Sequence, residues 1–213
     1  MSTRKLALLA VLGLLLGHNA YALDQPPPAG PVILDLNGQP IPHTYTQYTT
    51  SFVAGTAANY ISFAFRDDPA FLSLDDVSVT TGGGPNLILN PSFELGGTSA
   101  PTDWTYLNTF GASAAGTVAS NNPHSGAFEY FDGAVGAYDA ITQDIATTVG
   151  ATYDVSFWLM ENSGATTFAQ HSIDLVVYAG ASTPTAAPEP ASLALLGAGL
   201  ACLGMVRRTR KPA

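Results

Sequence analysis

Short runs of alternating hydrophobic and polar residues follow one another through the middle of the chain. In Tyr60–Arg66, the residues Ile61, Phe63 and Phe65 occupy every second position, which predicts a strand with one buried face. Comparable runs predict strands at Val32–Leu36, Thr44–Ala54, Phe71–Thr80, Asn86–Leu95, Trp104–Leu107, Ala127–Phe131, Tyr138–Ile145, Thr152–Met160 and Ile173–Tyr178. No helical period is sustained here. The pattern therefore predicts an all-β fold, and this many short strands in one stretch favours a β-sandwich.

Both ends of the chain have a different pattern. Arg4 and Lys5 precede an apolar run at 6–16, and Ala20-Tyr21-Ala22 follows it. A charged start, a short apolar stretch and an A-x-A site are typical of a secretory signal peptide, here cleaved after Ala22, with Ala20 and Ala22 as the recognised residues.

The C-terminal end begins with Pro188, Glu189 and Pro190, continues as an apolar run at 191–206, and finishes with a basic cluster at 207–211. As a helix, the apolar run would be about 24 Å long, against a hydrocarbon core of about 30 Å. These three parts together resemble the sorting tail of PEP-CTERM proteins of Gram-negative bacteria. The resemblance implies a transmembrane helix that anchors the precursor in the inner membrane. It also implies an exosortase-type enzyme that recognises the Pro-Glu-Pro motif, and a final place at the cell surface or in the extracellular matrix.

These patterns divide the chain into five parts. We predict a signal peptide at 1–22, a Pro-rich spacer with a possible short strand at 23–43, a β-sandwich at 44–180, a linker at 181–187 and the sorting tail at 188–213.

The charge distribution follows the same division. Fifteen of the sixteen Asp and Glu residues lie between the two terminal segments, where Arg66 is the one Lys or Arg, so the formal charge there is −14. Such a surface repels phosphates, which argues against nucleic-acid binding, while divalent cations and neutral glycans stay compatible with it. The one cysteine, Cys202, lies in the tail, so the exported part can form no disulfide.

Two stretches resemble carbohydrate-binding-module-like jelly rolls. Residues 86–94 (NLILNPSFE), with Trp104 downstream, resemble their opening strand, and 74–79 (LDDVSV) resemble their closing strand; 141–159 resemble their central hairpin. Here the closing strand precedes the opening one. Two explanations stay open: one circularly permuted jelly roll, which we favour, or two truncated pieces of a tandem array.

The same resemblance implies candidate sites. Jelly rolls of this type hold a structural calcium ion with an opening-strand Glu and a closing-strand Asp, which correspond here to Glu94 and Asp76. Alternation along a strand would turn Asp75 to the opposite face. Exposed aromatic rings can stack on sugars, and the candidates for glycan stacking are Trp104, Tyr106, Tyr130 and Tyr138.

No catalytic motif is found: the histidines are scattered, and no G-x-S-x-G or H-E-x-x-H spacing occurs. We therefore do not expect an enzyme. The sequence predicts an exported structural or adhesive protein associated with exopolysaccharide. The alternatives are a glycan-binding module with a defined sugar site and, with less support, a glycosidase.

Overall fold

The computed structural model describes residues 30–68, 70–97, 100–109, 111–114, 116–162 and 172–182. These residues form ten β-strands and no helix, and so include no helix able to cross a membrane. The strands are β1 (Val32–Asp35), β2 (Thr46–Val53), β3 (Ala58–Asp68), β4 (Leu72–Thr80), β5 (Thr105–Leu107), β6 (Thr117–Ala119), β7 (Glu129–Asp132), β8 (Asp139–Ala146), β9 (Thr152–Glu161) and β10 (Ser172–Ala181). The predicted all-β fold is confirmed.

The strands form two five-stranded antiparallel sheets. The first sheet has the order β1-β10-β3-β8-β5, and the second has the order β2-β9-β4-β7-β6. In both sheets, the first four strands of the order alternate between the first part of the chain (β1–β4) and the second part (β5–β10), and β5 or β6 lies at the edge. This intercalation favours one sandwich over two separate pieces. That the sandwich is a permuted jelly roll stays a prediction.

The hydrophobic core lies between the sheets and follows the alternation seen in the sequence. Phe63 and Phe65 of β3 face Phe157 and Leu159 of β9, and all four side chains are fully buried. The rings of Phe63 and Phe157 meet edge to face, with 5.1 Å between centroids. Burying each such side chain contributes about 1.5–3 kcal/mol, so these inward positions hold the two sheets together.

The segment predicted as a strand at Asn86–Leu95 is not one. Pro91 has no N–H to donate, and Asn90 has a positive φ of 49°, so a regular ladder cannot pass through this point. The segment nevertheless runs beside β4: Leu87 N–H donates to Val79 O, and Val77 N–H donates to Pro91 O, both at 2.9 Å. The sequence pattern therefore located the neighbour of β4 correctly but assigned it the wrong conformation.

The side chain of Asn86 completes this attachment. Its amide oxygen accepts the Val79 N–H, and its amide nitrogen donates to Val77 O, each at 2.9 Å. The side chain thus substitutes for a backbone peptide group of the missing strand.

We expect Asn86→Ala to lower the free energy of unfolding by about 1–2 kcal/mol, because both hydrogen bonds to β4 are lost. Urea denaturation of the purified chain measures this change. Asn121→Ala, at an exposed asparagine, is the matched control and should change stability little. Equal stability of the two variants would show that Asn86 does not hold the segment.

Candidate functional site

A bulge in β4 creates the most polar cluster on the second sheet. The pairing of β4 with β9 shifts register between Asp75 and Ser78, and Asp76 has a positive φ of 49°. Aspartate tolerates this left-handed conformation better than most residues. As a result, Asp75 and Asp76 both bind the segment at 122–128, which we call the 122–128 loop. The expectation that Asp75 points away is wrong, because the bulge interrupts the alternation on which it was based.

Asp75 holds the loop through backbone groups. Its Oδ2 accepts the N–H groups of His124 and Ser125 at 2.8 and 3.0 Å, and its Oδ1 accepts the N–H of Asp76 at 2.7 Å. Burial raises the pKa of Asp75 to about 6, although these N–H donors oppose the rise. The carboxylate is fully buried, so it acts as a structural acceptor.

Asp76 holds the same loop through side chains. Its Oδ1 accepts the hydroxyl groups of Ser92 and Ser125, and its Oδ2 lies 2.6 Å from Nδ1 of His124. Burial tends to raise the pKa of Asp76, but hydrogen bonds from Ser125, Ser92 and His124 outweigh it and lower that pKa below its ordinary value.

The residue types of a hydrolytic triad are therefore present with a different connectivity. Both serine hydroxyls donate to Asp76, whereas in a triad the serine hydroxyl meets the imidazole. The geometry in hand orients a loop; it does not activate a serine.

Glu94 fastens the far end of the 122–128 loop. Its Oε1 accepts the N–H groups of Ala127 and Phe128 at 2.8 and 2.9 Å. Gly126 directly precedes Ala127 and has φ of 62°, and a Cβ there would collide with the Glu94 carboxylate. Glycine is therefore required at 126 both for its conformation and for the close approach of the carboxylate.

The two predicted calcium ligands, Asp76 and Glu94, thus bind one loop. Their oxygens contact N–H and O–H donors and an imidazole nitrogen. Within the described ranges, no group of three or more His, Cys, Asp or Glu side chains could hold a metal ion. A calcium ion at Asp76 and Glu94 would have to compete with the contacts already made. Calcium binding stays a prediction.

An aromatic group lies on the same outer surface. The His124 ring stacks on Trp158 with 4.0 Å between centroids and an interplanar angle of 17°, and it meets Tyr45 edge-on at 5.1 Å. The side chains of His124 and Asp76 are 28% and 27% exposed, and Trp158 is half-buried. We call Tyr45, Asp76, His124 and Trp158 the His124 cluster.

Glu129 supports this cluster from below. Its Oε2 accepts the Tyr45 hydroxyl at 2.9 Å, and its Oε1 accepts the N–H of Asn122 at 3.1 Å. Burial and the charge of Glu129 raise the pKa of Tyr45. The hydroxyl thus stays a donor at physiological pH and fixes the ring beside His124.

Three of the four predicted stacking platforms belong to the core. Trp104, Tyr130 and Tyr138 are 5%, 0% and 3% exposed. Trp104 packs against Phe63 and Phe93, and its Nε1–H donates to a backbone carbonyl. The faces of these three rings are packed against protein, which removes them as surface platforms in this structure.

The fourth ring, Tyr106, is half-buried, and its hydroxyl donates to Asp139 at 2.9 Å. Its polar end is therefore directed to a buried carboxylate.

Sequence reasoning missed three residues of the site, Tyr45, Asp75 and Trp158, and treated His124 as one of several scattered histidines. Their association depends on the bulge and on the path of the 122–128 loop. The available signal was the adjacent aspartate pair within a strand pattern, since both carboxylates can serve one loop only if the strand is irregular.

The predicted signal residues Ala20 and Ala22 and the sorting residues Pro188, Glu189 and Pro190 lie outside the described residues. Comparison with protein families addresses the tail directly: residues 186–211 match the PEP-CTERM protein-sorting motif. Comparisons with curated proteins and with solved structures give no match. The motif indicates an exported protein that an exosortase sorts from a membrane-anchored precursor.

We expect Asp75→Ala to release the 122–128 loop, because the His124 and Ser125 N–H groups lose their acceptor. Amide hydrogen exchange at these two positions should accelerate about tenfold or more, as expected from the loss of about 1–3 kcal/mol per buried group. Exchange at Phe157 in the core reports any global loosening and serves as the internal reference. Asp154→Ala, at an exposed position of β9, is the control. Unchanged exchange at both loop amides would contradict the anchoring role.

Proposed function

We propose that this protein is a structural or adhesive component of the cell surface or extracellular matrix, associated with exopolysaccharide. The observation that carries the proposal is the PEP-CTERM sorting motif at 186–211. The motif accounts for export and sorting. The final location and the association with polysaccharide are the steps that we add.

The electrostatics of the body support this assignment. Arg66 is the one Lys or Arg in the described residues, and it pairs with Asp68 at 2.8 Å. The remaining surface charge is acidic, which disfavours phosphate-rich partners and is compatible with hydrated neutral polysaccharide. An antiparallel sandwich also offers broad faces on which polar side chains can contact a matrix.

Replacing Pro188, Glu189 and Pro190 by alanine in the full chain should prevent sorting. In a host that carries an exosortase, we expect the variant to accumulate in the membrane fraction at precursor size, because the enzyme no longer recognises the tail. Cell fractionation and immunoblotting measure both properties. Pro184→Ala, just upstream of the matched segment, is the control and should be sorted normally. Normal sorting of the triple variant would refute recognition through these residues.

A second candidate function is glycan binding at the His124 cluster. Trp158 is a half-buried aromatic residue on the outer face of the second sheet, next to the partly exposed polar groups of Asp76 and His124. An apolar ring surface beside hydrogen-bonding groups is the combination by which proteins recognise sugar rings. This arrangement favours Trp158 over the buried Trp104 as the residue to test.

Trp158→Ala should weaken any saturable glycan binding about tenfold, since a stacking contact contributes roughly 1 kcal/mol or more. A glycan array followed by titration of the purified full chain measures the loss, and a thermal melt verifies folding. Phe71→Ala removes another exposed aromatic ring, one that stacks on Phe131, and should leave binding unchanged. Failure of the unmodified protein to bind any glycan saturably would leave the structural role and exclude the binding module.

A further inference from the structure

Four carboxylates occupy inward positions between the two sheets. Each continues the buried face of its strand: Asp67 on β3, Asp132 on β7, Asp139 on β8 and Glu161 on β9. All four are at most 2% exposed. Inward positions of a sandwich are normally apolar, because an isolated buried charge costs far more free energy than folding can supply.

The pairing registers bring these carboxylates together at one end of the core. Asp132 and Glu161 are both paired with Leu72 of β4, and Asp139 is paired with Phe65, two residues before Asp67. The charge of Glu161 raises the pKa of Asp67, and the charge of Asp67 raises the pKa of Asp132, so these groups interact across the space between the sheets. The core therefore ends in an acidic layer.

Asp132 and Asp139 are neighbours in this layer, and both lie beside Gly116. Asp132 Oδ1 accepts the N–H of Ala134 at 2.9 Å, and Asp139 Oδ2 accepts the Tyr106 hydroxyl at 2.9 Å and the Gly116 N–H at 3.3 Å. The other two oxygens, Asp132 Oδ2 and Asp139 Oδ1, are buried and have no donor. A side-chain hydrogen bond with Asp139 contributes to the raised pKa of Asp132, and a hydrogen bond between two carboxyl groups requires that one of them be protonated.

The backbone of Gly116 lies against this pair. A Cβ at Gly116 would collide with both the Tyr130 hydroxyl and Asp132 Oδ2, so the backbone of Gly116 closes the site on that side. The Tyr130 hydroxyl is itself buried without a partner. A calcium ion takes six to eight oxygen ligands, and in the described residues no group of three or more His, Cys, Asp or Glu side chains could hold a metal ion, whereas a proton needs almost no volume. The packing therefore favours a proton.

We propose that Asp132 and Asp139 share one proton in the folded protein, and that this proton makes the sandwich an acid-stabilised fold. The proton supplies the donor that the two facing oxygens lack. It also leaves one negative charge where two would repel each other in a medium of low dielectric constant. Folding above the ordinary pKa of an aspartate then takes up one proton from solvent.

The direction of the pH dependence follows from the raised pKa values. Burial and the charge of Asp139 raise the pKa of Asp132 well above its ordinary value, and burial raises the pKa of Asp139. Below about pH 4, carboxyls are protonated in both the folded and the unfolded chain, so burial carries no charge penalty. Between the unfolded-state pKa of about 4 and the folded-state pKa, folding must take up a proton, so stability falls as pH rises through this range; above the folded-state pKa the proton is lost and both buried carboxylates are charged.

Other buried groups contribute to the same profile. Burial and the charge of Glu161 raise the pKa of Asp67 to about 7, and burial raises the pKa of Asp75 to about 6. Both groups therefore also make the folded protein less stable as pH rises. Asp76 has the opposite effect on the pH dependence of stability, because its pKa is lowered in the folded protein. Groups facing the pair include the Tyr106 and Tyr130 hydroxyls, and His43 Nε2 lies 3.9 Å from Glu161 Oε2. The test must therefore compare variants, not one profile alone.

Asp132→Asn in the full chain provides this comparison. The amide can donate to Asp139 without a titrating proton, so its melting temperature should fall less between pH 5 and pH 8 than that of the unmodified protein. At pH 8 we expect the variant to melt about 5 °C higher. Asp154→Asn removes the same charge at an exposed position of β9 and should retain the unmodified profile. An Asp132→Asn profile parallel to the unmodified one would overturn the proposal.

A direct measurement covers the case in which the variant does not fold. In the full chain labelled with ¹³C at aspartate carboxyls, the proposal expects one carboxyl of the Asp132–Asp139 pair to be protonated at pH 7, with Asp139→Asn assigning the signal. Two ionised carboxyls at pH 7 would refute it.

Melting at pH 8 with calcium or with EDTA adds a further test. A calcium-dependent rise in melting temperature that Asp132→Asn abolishes would show that a cation, not a proton, joins the pair.

Discussion

Alternation of side chains across two stacked sheets is the constraint on which this protein depends. In β3 and β9, every second side chain points into the space between the sheets. This alternation buries Phe63, Phe65, Phe157 and Leu159. Each sheet contains strands from both the first and the second part of the chain, so the inward-facing positions must match between strands that are far apart in sequence. The same alternation places Asp67 and Glu161 in the interior, because they continue the inward faces of β3 and β9.

The chemistry of the interior reflects a shortage of cations. Between its terminal segments the chain has one Lys or Arg, and Arg66 is paired on the outer side with Asp68. Carboxylates must therefore be satisfied by other donors, above all where they are buried. Asp75 and Glu94 use backbone N–H groups, Asp76 uses hydroxyls and an imidazole, and Glu129 uses a tyrosine hydroxyl. Where such donors run out, as between Asp132 and Asp139, a proton is the donor that fits.

The use of donors other than Lys and Arg is common to the two surfaces of the second sheet. On the outer face, carboxylates fix a loop and thereby place His124 against Trp158. On the inner face, carboxylates make stability depend on pH. An exported protein meets the pH of its surroundings instead of that of the cytoplasm, so both features act where the sorting motif sends the chain.

The sequence by itself determined the sorting tail, the all-β class and nearly all of the strands, because these depend on local order: a motif, a period of two, and turn residues. It misassigned Asn86–Leu95 as a strand and did not predict β6 at Thr117–Ala119. Only the tertiary structure decided which aromatic rings are buried, that Asp75 and Asp76 serve one loop, and that Asp132 meets Asp139. These facts depend on a bulge, on the path of a loop and on the packing of one sheet against the other, and the linear pattern of side chains specifies none of these.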